Sequence, residues 1–455
     1  MENSREIVRD PAVVSADSQS TDGQKRSLRR VIGSATAGTF IEYYDFAIYG
    51  ALAPVLAHVF FPNAEPVVGL LSTFAVFAVA FVARPLGAFI WGPVGDRIGR
   101  KKTLSFIILL ISIATVLIGL IPNYDSIGII APILLIALRL IQGISAGGEL
   151  AGAALFVAEH APDRKRGFLV SWLQVATTAA YISGISIAAL VATLLPEESM
   201  QSWGWRIPFL LAGPVGVIGL YIRLKVDESP SFESAKNGSI NSKETPSRRS
   251  EKTLKPKVWG VENVRDMVVA AAFYMPTMVS FYLLMTFMPT FLKKEMNFSA
   301  ATALSMISIA GLIQMVAILL FAIASDSIGR RMMLRLTAGG FALLTYPAFL
   351  LLESGEFGKA IMGLILLVIP TAAASANSLT PALERFPTRI RFTSSAITLG
   401  LLVAIFGGTA PYISLFLTEK TGSPLAPGFY LILTVIPSLV ASFFVRETAN
   451  RPLVA

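Results

Sequence analysis

Five ionisable side chains lie inside apolar stretches long enough to cross a membrane. Glu42 and Asp45 sit within Thr39-Phe40-Ile41-Glu42-Tyr43-Tyr44-Asp45-Phe46, Arg84 follows in the next apolar run, and Arg139 and Glu149 share a later one. A charge at the centre of a membrane helix costs about 2.5–3.5 kcal/mol on insertion scales, so such groups face a partner or a cavity. Two kinds of chemistry suit them. A buried carboxyl can alternate between protonated and ionised forms and so carry a proton. A guanidinium can hold a carboxylate through a planar, paired contact. Asp45 leads Glu42 as the expected proton carrier, with Glu149 the next site to examine. Arg139 is the expected partner of a substrate carboxylate and, between substrates, of Asp45. Both histidines, His58 and His160, lie near span ends, away from this role. A static lattice of ion pairs is the competing reading, set back by the cost of burying charges that do nothing else.

These residues need helices to position them. On a helix advancing 100° per residue, Glu42, Asp45 and Tyr49 share one face. On a continuous fourth span, Gln142 and Glu149 superimpose two turns apart, close to Arg139. Gln174, Gln314 and Asn377 complete the expected substrate-binding set with Arg139, Tyr49, Gln142 and Arg84. Tyr274, Thr277, Tyr282, Ser375 and Thr398 are further polar groups at depth in the second half, which has no acidic residue there. That half is expected to supply hydrogen bonds and aromatic surface.

The apolar stretches number twelve: 31–58, 67–94, 103–121, 128–158, 168–195, 206–224, 264–292, 300–324, 333–352, 359–383, 393–418 and 427–446. Each meets the need for about 20 mostly apolar residues. Of 455 residues, 54% are hydrophobic and only 15% charged, against about 25% charged in soluble domains. The net charge of +9 does not indicate nucleic acid. Of 38 Lys and Arg, 31 fall on one predicted side of the membrane, five on the other and two within spans. That is the positive-inside pattern, with both termini cytoplasmic. All five Trp lie near predicted span ends, as in an interfacial belt. Gly143, Gly147, Gly148 and Gly152 predict close packing of the fourth span. No signal peptide is visible, and Cys is absent, which removes Cys-ligated zinc and iron–sulfur centres.

The expected organisation is a disordered cytoplasmic tail at 1–27, a six-helix bundle at 28–224, a polar cytoplasmic linker at 225–263, a second bundle at 264–447 and a cytoplasmic tail at 448–455. Two loop patterns repeat between the halves. Gly92-Pro-Val-Gly95-Asp96-Arg97-Ile-Gly99-Arg100-Lys101 is echoed 230 positions on by Ala324-Ser-Asp326-Ser327-Ile-Gly329-Arg330-Arg331. Glu159-x-x-Pro162-x-Arg164-x-Arg166 returns 225 positions later as Glu384-x-x-Pro387-x-Arg389-x-Arg391. Two unrelated loops at nearly one offset indicate a duplicated half and a pathway between the copies. Gly95, Asp96, Arg97, Gly99 and Arg100, with Asp326, Gly329 and Arg330, are the expected gating loops. Asp96 is expected to dock on the positive start of the eleventh span, near Phe392-Thr393. The second copy, with Ser327 in place of Arg97, is expected to be the weaker lock.

The paired Asp-Arg-x-Gly-Arg-Lys loop resembles the major facilitator superfamily. Glu42-Tyr-Tyr-Asp45-Phe46 with Tyr49-Gly50 resembles its metabolite:proton symporter family. So do Arg84-Pro-Leu-Gly-Ala88, Arg139-x-x-Gln142-Gly-x-Ser-x-Gly-Gly-Glu149, Gly204-Trp-Arg-Ile-Pro-Phe209 and Glu447-Thr-Ala-Asn-Arg-Pro452. Ile121-Pro-Asn-Tyr-Asp125, Pro162 to Phe168 and the Glu447 ending are most similar to proline/betaine members, whereas Ala404-Ile-Phe-Gly-Gly408 is as similar to organic-acid members. The sequence ends at Ala455 without the long C-terminal coiled coil of some osmolyte members, so the resemblance does not by itself imply osmotic sensing.

The resemblance implies an all-α membrane protein with twelve helices in two pseudo-symmetric bundles. It implies proton-coupled import of a small carboxylate-bearing metabolite, a proline/betaine-type zwitterion or an organic acid, by alternating access. The expected partners are that small molecule, protons and the lipid bilayer, with no nucleic acid and a monomeric functional unit. No cofactor is called for, and the setting is a bacterial inner membrane. Efflux antiport on the same fold and a membrane metabolite sensor are the alternatives. ATP-driven transport is not expected, since the sequence has no Gly-x-x-x-x-Gly-Lys-[Ser/Thr] loop, and an enzyme is not expected, since it has no His/Glu metal cluster and no Ser–His pairing at depth.

Overall fold

The computed structural model describes residues 32–33, 35–87, 90–91, 94, 100–147, 149–224, 260–387 and 390–453. Every regular element among them is a helix. Hydrocarbon offers the backbone no hydrogen-bond partner, so long apolar runs satisfy their own N–H and C=O groups helically. Nine helices among the described residues are long and apolar enough to cross a membrane, and a tenth forms from Glu197–Gly204 and Arg206–Tyr221, which meet at 47°. The first and third predicted spans supply the rest. Residues 35–60 are helical apart from a turn at Leu52, just before Pro54, and Arg100–Leu120 is one helix. The molecule is an all-α, multi-pass membrane protein.

Four spans depart from the expected continuity. Span four is broken: Ile130–Ser145 ends, Ala146 and Gly147 turn, and Glu149–His160 resumes. Gln142 and Glu149 are therefore not superimposed on one straight helix. Span ten breaks in the same way between Phe357–Ala376 and Leu379–Leu383. Spans seven and eleven carry single wide turns at mid-length, Leu283–Phe287 and Val403–Gly407, a feature that recurs at functional sites. The seventh span also begins at Val261, inside the segment expected to be linker; residues 225–259 of that segment, like the whole of the tail at 1–27, lie outside the described residues.

Small residues set the closest approaches. A Cβ on Gly143 would lie 1.9 Å from the Ala80 carbonyl oxygen, and one on Gly87 1.9 Å from that of Ile144. Spans two and four thus touch backbone to backbone, as the glycine pattern predicts, and this brings Arg84 beside span four. Between the halves, span five (Arg166–Leu194) runs along span eight (Ala300–Ile328). One tryptophan corrects the belt expectation. Trp205 is fully buried and packs edge-on against Phe60 and Phe209, while Arg206 stacks on its ring at 4.5 Å.

Candidate functional site

The mid-depth charges form two ion pairs of different character. Asp45 is saturated: its Oδ1 accepts from Thr115 Oγ1 at 2.9 Å and from Gln142 Nε2 at 2.7 Å, and its Oδ2 from Arg139 Nη1 at 2.9 Å. Arg139 also donates to Gln142 Oε1 at 3.1 Å, and its guanidinium lies 3.7 Å from the centre of the Tyr49 ring. Tyr49 is fixed in turn by donating to the Thr73 carbonyl at 3.0 Å. Asp45, Arg139 and Gln142 are all buried. The expected Asp45–Arg139 pairing is therefore present, held by spans one, three and four. Thr115 gave no sequence signal, being one hydroxyl in a long apolar span.

The second pair is Glu42 with Arg84, at 2.8 Å between Oε1 and Nη2. Neither carboxylate oxygen of Glu42 has a well-aligned hydrogen bond among the described residues. Aromatic rings hold the Arg84 guanidinium instead, at 4.6 Å over Phe81, 4.9 Å over Phe46 and 5.8 Å over Tyr43. This pair borders the second half. Tyr282 of span seven stands edge-on to Phe81 at 5.2 Å and lies 6.3 Å from Tyr181 of span five. The two wide turns bring these parts together. Tyr282 immediately precedes the turn in span seven, and Gly407 closes the turn in span eleven. A Cβ on Gly407 would lie 2.8 Å from the Tyr282 ring, and one on Gly408 2.7 Å from Phe81. Glu149, at the start of the second piece of span four, is buried and within electrostatic reach of Glu42.

Not all the expected binding residues join this cluster. Gln174 donates to Ser378 Oγ at 3.0 Å. Asn377 accepts from Ser325 at 2.8 Å and donates to the Arg330 carbonyl at 3.0 Å. Both lie toward the basic ends of their spans, in the seam between halves and apart from Arg139. Gln314 is wholly buried in span eight, with neither amide atom hydrogen-bonded among the described residues.

That seam is closed by reciprocal contacts between the repeated loops. Arg166 donates to Glu384 Oε1 at 3.1 Å, and Arg391 pairs with Glu159 at 3.5 Å, so each copy of the Glu-x-x-Pro pattern supplies the partner of the other. Asp326 docks on the start of span five, accepting from the Gly167 and Phe168 N–H groups at 3.0 and 2.8 Å and from Arg330 at 2.7 Å. The second copy makes these contacts with Ser327 in place of the arginine, the Ser327 hydroxyl bonding the Ala324 carbonyl of its own helix. Gly95, Asp96, Arg97 and Gly99 lie outside the described residues; Arg100 begins span three. Gly167 and Phe168 are, by the 225-residue offset, the counterparts of Phe392 and Thr393.

The C-terminal segment packs onto the same seam. Glu447 accepts from the Arg330 and Arg331 N–H groups, capping span nine next to Gly329, whose φ of 98° is left-handed. Burial opposes ionisation of Glu447, but four backbone N–H donors (Ala449, Arg330, Arg331 and Thr448) outweigh it and hold its carboxyl below the usual range. Thr448 donates to Glu384 at 2.7 Å, and the Arg451 carbonyl accepts from Arg166 at 3.1 Å.

Comparison with known proteins agrees with this architecture. Residues 31–455 match the family model described as sugar (and other) transporter. The proline/betaine transporter of Escherichia coli (strain K12) is 36% identical over 431 residues, covering 94% of this chain and 85% of the relative. The ectoine/proline transporter ProP of Corynebacterium glutamicum is 34% identical over 443 residues, covering 94% and 86%. Among solved structures, the major facilitator superfamily proton:xylose symporter XylE bound to 6-bromo-6-deoxy-D-glucose superposes with a TM-score of 0.74 at 19% identity, covering 94% of this chain and 98% of that one. XylE of E. coli in an inward-open conformation superposes at 0.67 and 21% identity, covering 94% and 98%. With the family model matched over residues 31–455 and a transporter 36% identical over 94% of the chain, the protein belongs to the sugar (and other) transporter family and is a transporter, not an enzyme.

Proposed function

We propose that this transporter imports a small zwitterion, bearing a carboxylate and a secondary or quaternary ammonium, together with a proton. The basic side is the cytoplasmic face of a bacterial inner membrane, so both termini are inside. The relatives named above as proline/betaine and ectoine/proline transporters support this solute class over organic acids. The observation that carries the reading is the Glu42–Arg84 pair in its aromatic surround at the seam between halves. Arginine suits the carboxylate, and the faces of Tyr43, Phe46, Phe81 and Tyr282 suit an ammonium through cation–π attraction.

The coupling follows from competition for one cation. While Glu42 is ionised it occupies Arg84. Protonation of Glu42 releases Arg84 to the incoming carboxylate, so proton and solute bind cooperatively. The coupling is reciprocal: each strengthens the binding of the other by the same factor. This moves the coupling role from Asp45 to Glu42. Asp45 already accepts three hydrogen bonds, two of them from Thr115 and Gln142, which a protonated carboxyl would have to surrender in part. Asp45 and Arg139 then act as a brace that holds span one against spans three and four.

Uptake of labelled glycine betaine and proline into proteoliposomes tests this. Acid outside should drive accumulation. Glu42→Gln, a mimic of the protonated state, should exchange solute but no longer accumulate it. If Glu42→Gln accumulates solute normally and Asp45→Asn does not, the proton is carried by Asp45. Uptake of dicarboxylates in place of zwitterions overturns the solute class.

A further inference from the structure

On the side of the membrane opposite the locked seam, a cavity of about 290 Å³ opens between the halves. It holds about ten water volumes at ~30 Å³ each. Its walls are mostly apolar, with Ala51, Leu52, Leu195 and Leu304 among them. Leu52 is seven residues beyond Asp45 on span one, about 10 Å along the helix at 1.5 Å per residue. The cavity therefore lies on the same span as the charged cluster, about two helical turns from Asp45. Two opposite charges border it, one from each half. Glu197, in the connection between spans five and six, meets Lys293 at the end of span seven, at 3.4 Å. The neighbouring Lys294 is engaged elsewhere, with Glu419 and with Glu295 at 3.8 Å.

The Lys293–Glu197 pair is long and exposed, at 38% and 73% for the two side chains. Such a pair contributes little by itself and exchanges readily. A zwitterion matches it charge for charge: its carboxylate replaces Glu197 at the lysine, and its ammonium replaces Lys293 at the glutamate. The apolar walls suit the methylene and methyl groups between.

We infer that this cavity is an antechamber that captures the zwitterion between Lys293 and Glu197 before it reaches the central site. The inference rests on the zwitterion reading above, but concerns a second site. Its function is to raise the local solute concentration through charge complementarity at the mouth of the pathway. It also ties capture to opening, because a solute that separates Lys293 from Glu197 removes their direct link between the halves on this side.

The absence of cysteine allows a direct test. Ala301, which lines the cavity, is replaced by Cys in the full chain, and its labelling by a charged methanethiosulfonate reagent is timed with and without glycine betaine. The labelling is repeated after Arg84→Ala, which disables the central site, and after Arg84→Gln in case the first variant folds poorly. Glycine betaine should slow labelling in all backgrounds, and Lys293→Gln should abolish that protection when the central site is disabled. Lys293→Gln alone should raise KM for uptake about tenfold at low salt with Vmax little changed, because capture is lost but the central site is intact. Loss of protection in both Arg84 variants overturns the antechamber, as does a Lys293→Gln variant with altered Vmax and unaltered KM, the mark of a simple gate. If the unsubstituted protein does not take up glycine betaine at all, the transport reading has failed; if it does and protection is absent in the Arg84 variants, only the antechamber has failed.

Discussion

Asp326→Asn tests the lock on the basic side most directly. The Asp326 carboxylate is 8% exposed and accepts three hydrogen bonds, two from the first N–H groups of span five and one from the Arg330 guanidinium. Asparagine keeps one oxygen and turns an amide donor toward donors. At least one charge-assisted bond is lost, worth ~1.5–3 kcal/mol. The attraction of a negative charge to the helix start, ~0.3–1 kcal/mol, goes with it. Together these shift the balance from closed to open by about 3 kcal/mol, roughly a hundredfold in the population ratio. Spin labels on Arg164→Cys and Met332→Cys, on opposite halves and both exposed, should report a longer distance in the variant. Gly167→Ala should act alike by a separate route, since its Cβ would lie 2.6 Å from Asp326 Oδ1 and 2.5 Å from Arg330 Nη1. Unchanged distance distributions in both variants, with the protein folded and inserted, would refute the lock.

The other predictions concern the brace, the two arginines and the C-terminal segment. Gln142→Ala strips Asp45, Thr115 and Arg139 of a buried partner and should cost about 2–3 kcal/mol, read as a lower thermal unfolding midpoint; an unchanged midpoint contradicts the brace. Arg84→Lys should raise the KM for the zwitterion about tenfold, or ~1.4 kcal/mol of lost binding, while Arg139→Lys should lower stability and turnover with KM nearly constant. The reverse pattern would return the carboxylate to Arg139. Glu447 has a lowered folded-state pKa, so its contribution to stability is complete above the ordinary carboxylate range and disappears as pH falls through the lowered value. Glu447→Gln should therefore destabilise the protein at neutral pH and converge with the unsubstituted protein in acid, as followed by thermal unfolding across pH. Parallel pH curves would mean that Glu447 stays protonated.

The class of the molecule was legible in residue order because each cause is local. A run of about 20 apolar residues is a span wherever it lies, and loop charge orients it without any knowledge of packing. The duplicated loops announced two related halves, and Glu42, Asp45, Arg84 and Arg139 stood out because charge inside an apolar run is costly. What residue order could not supply was partnership. Glu42 and Asp45 share one helix and one face, yet Asp45 binds Arg139 and Glu42 binds Arg84, because backbone contact at Gly87 and Gly143 sets how spans two and four approach. Gln174 and Asn377 looked like binding residues, but helix length carried them to the basic-side seam. Glu159 and Glu384 repeat in sequence, whereas their exchange of arginines across the halves exists only once the bundles face each other. The antechamber is likewise formed by Glu197 and Lys293, 96 positions apart. Such sites depend on where distant helices meet, and that is decided by the packing of the whole bundle, not by any one segment of it.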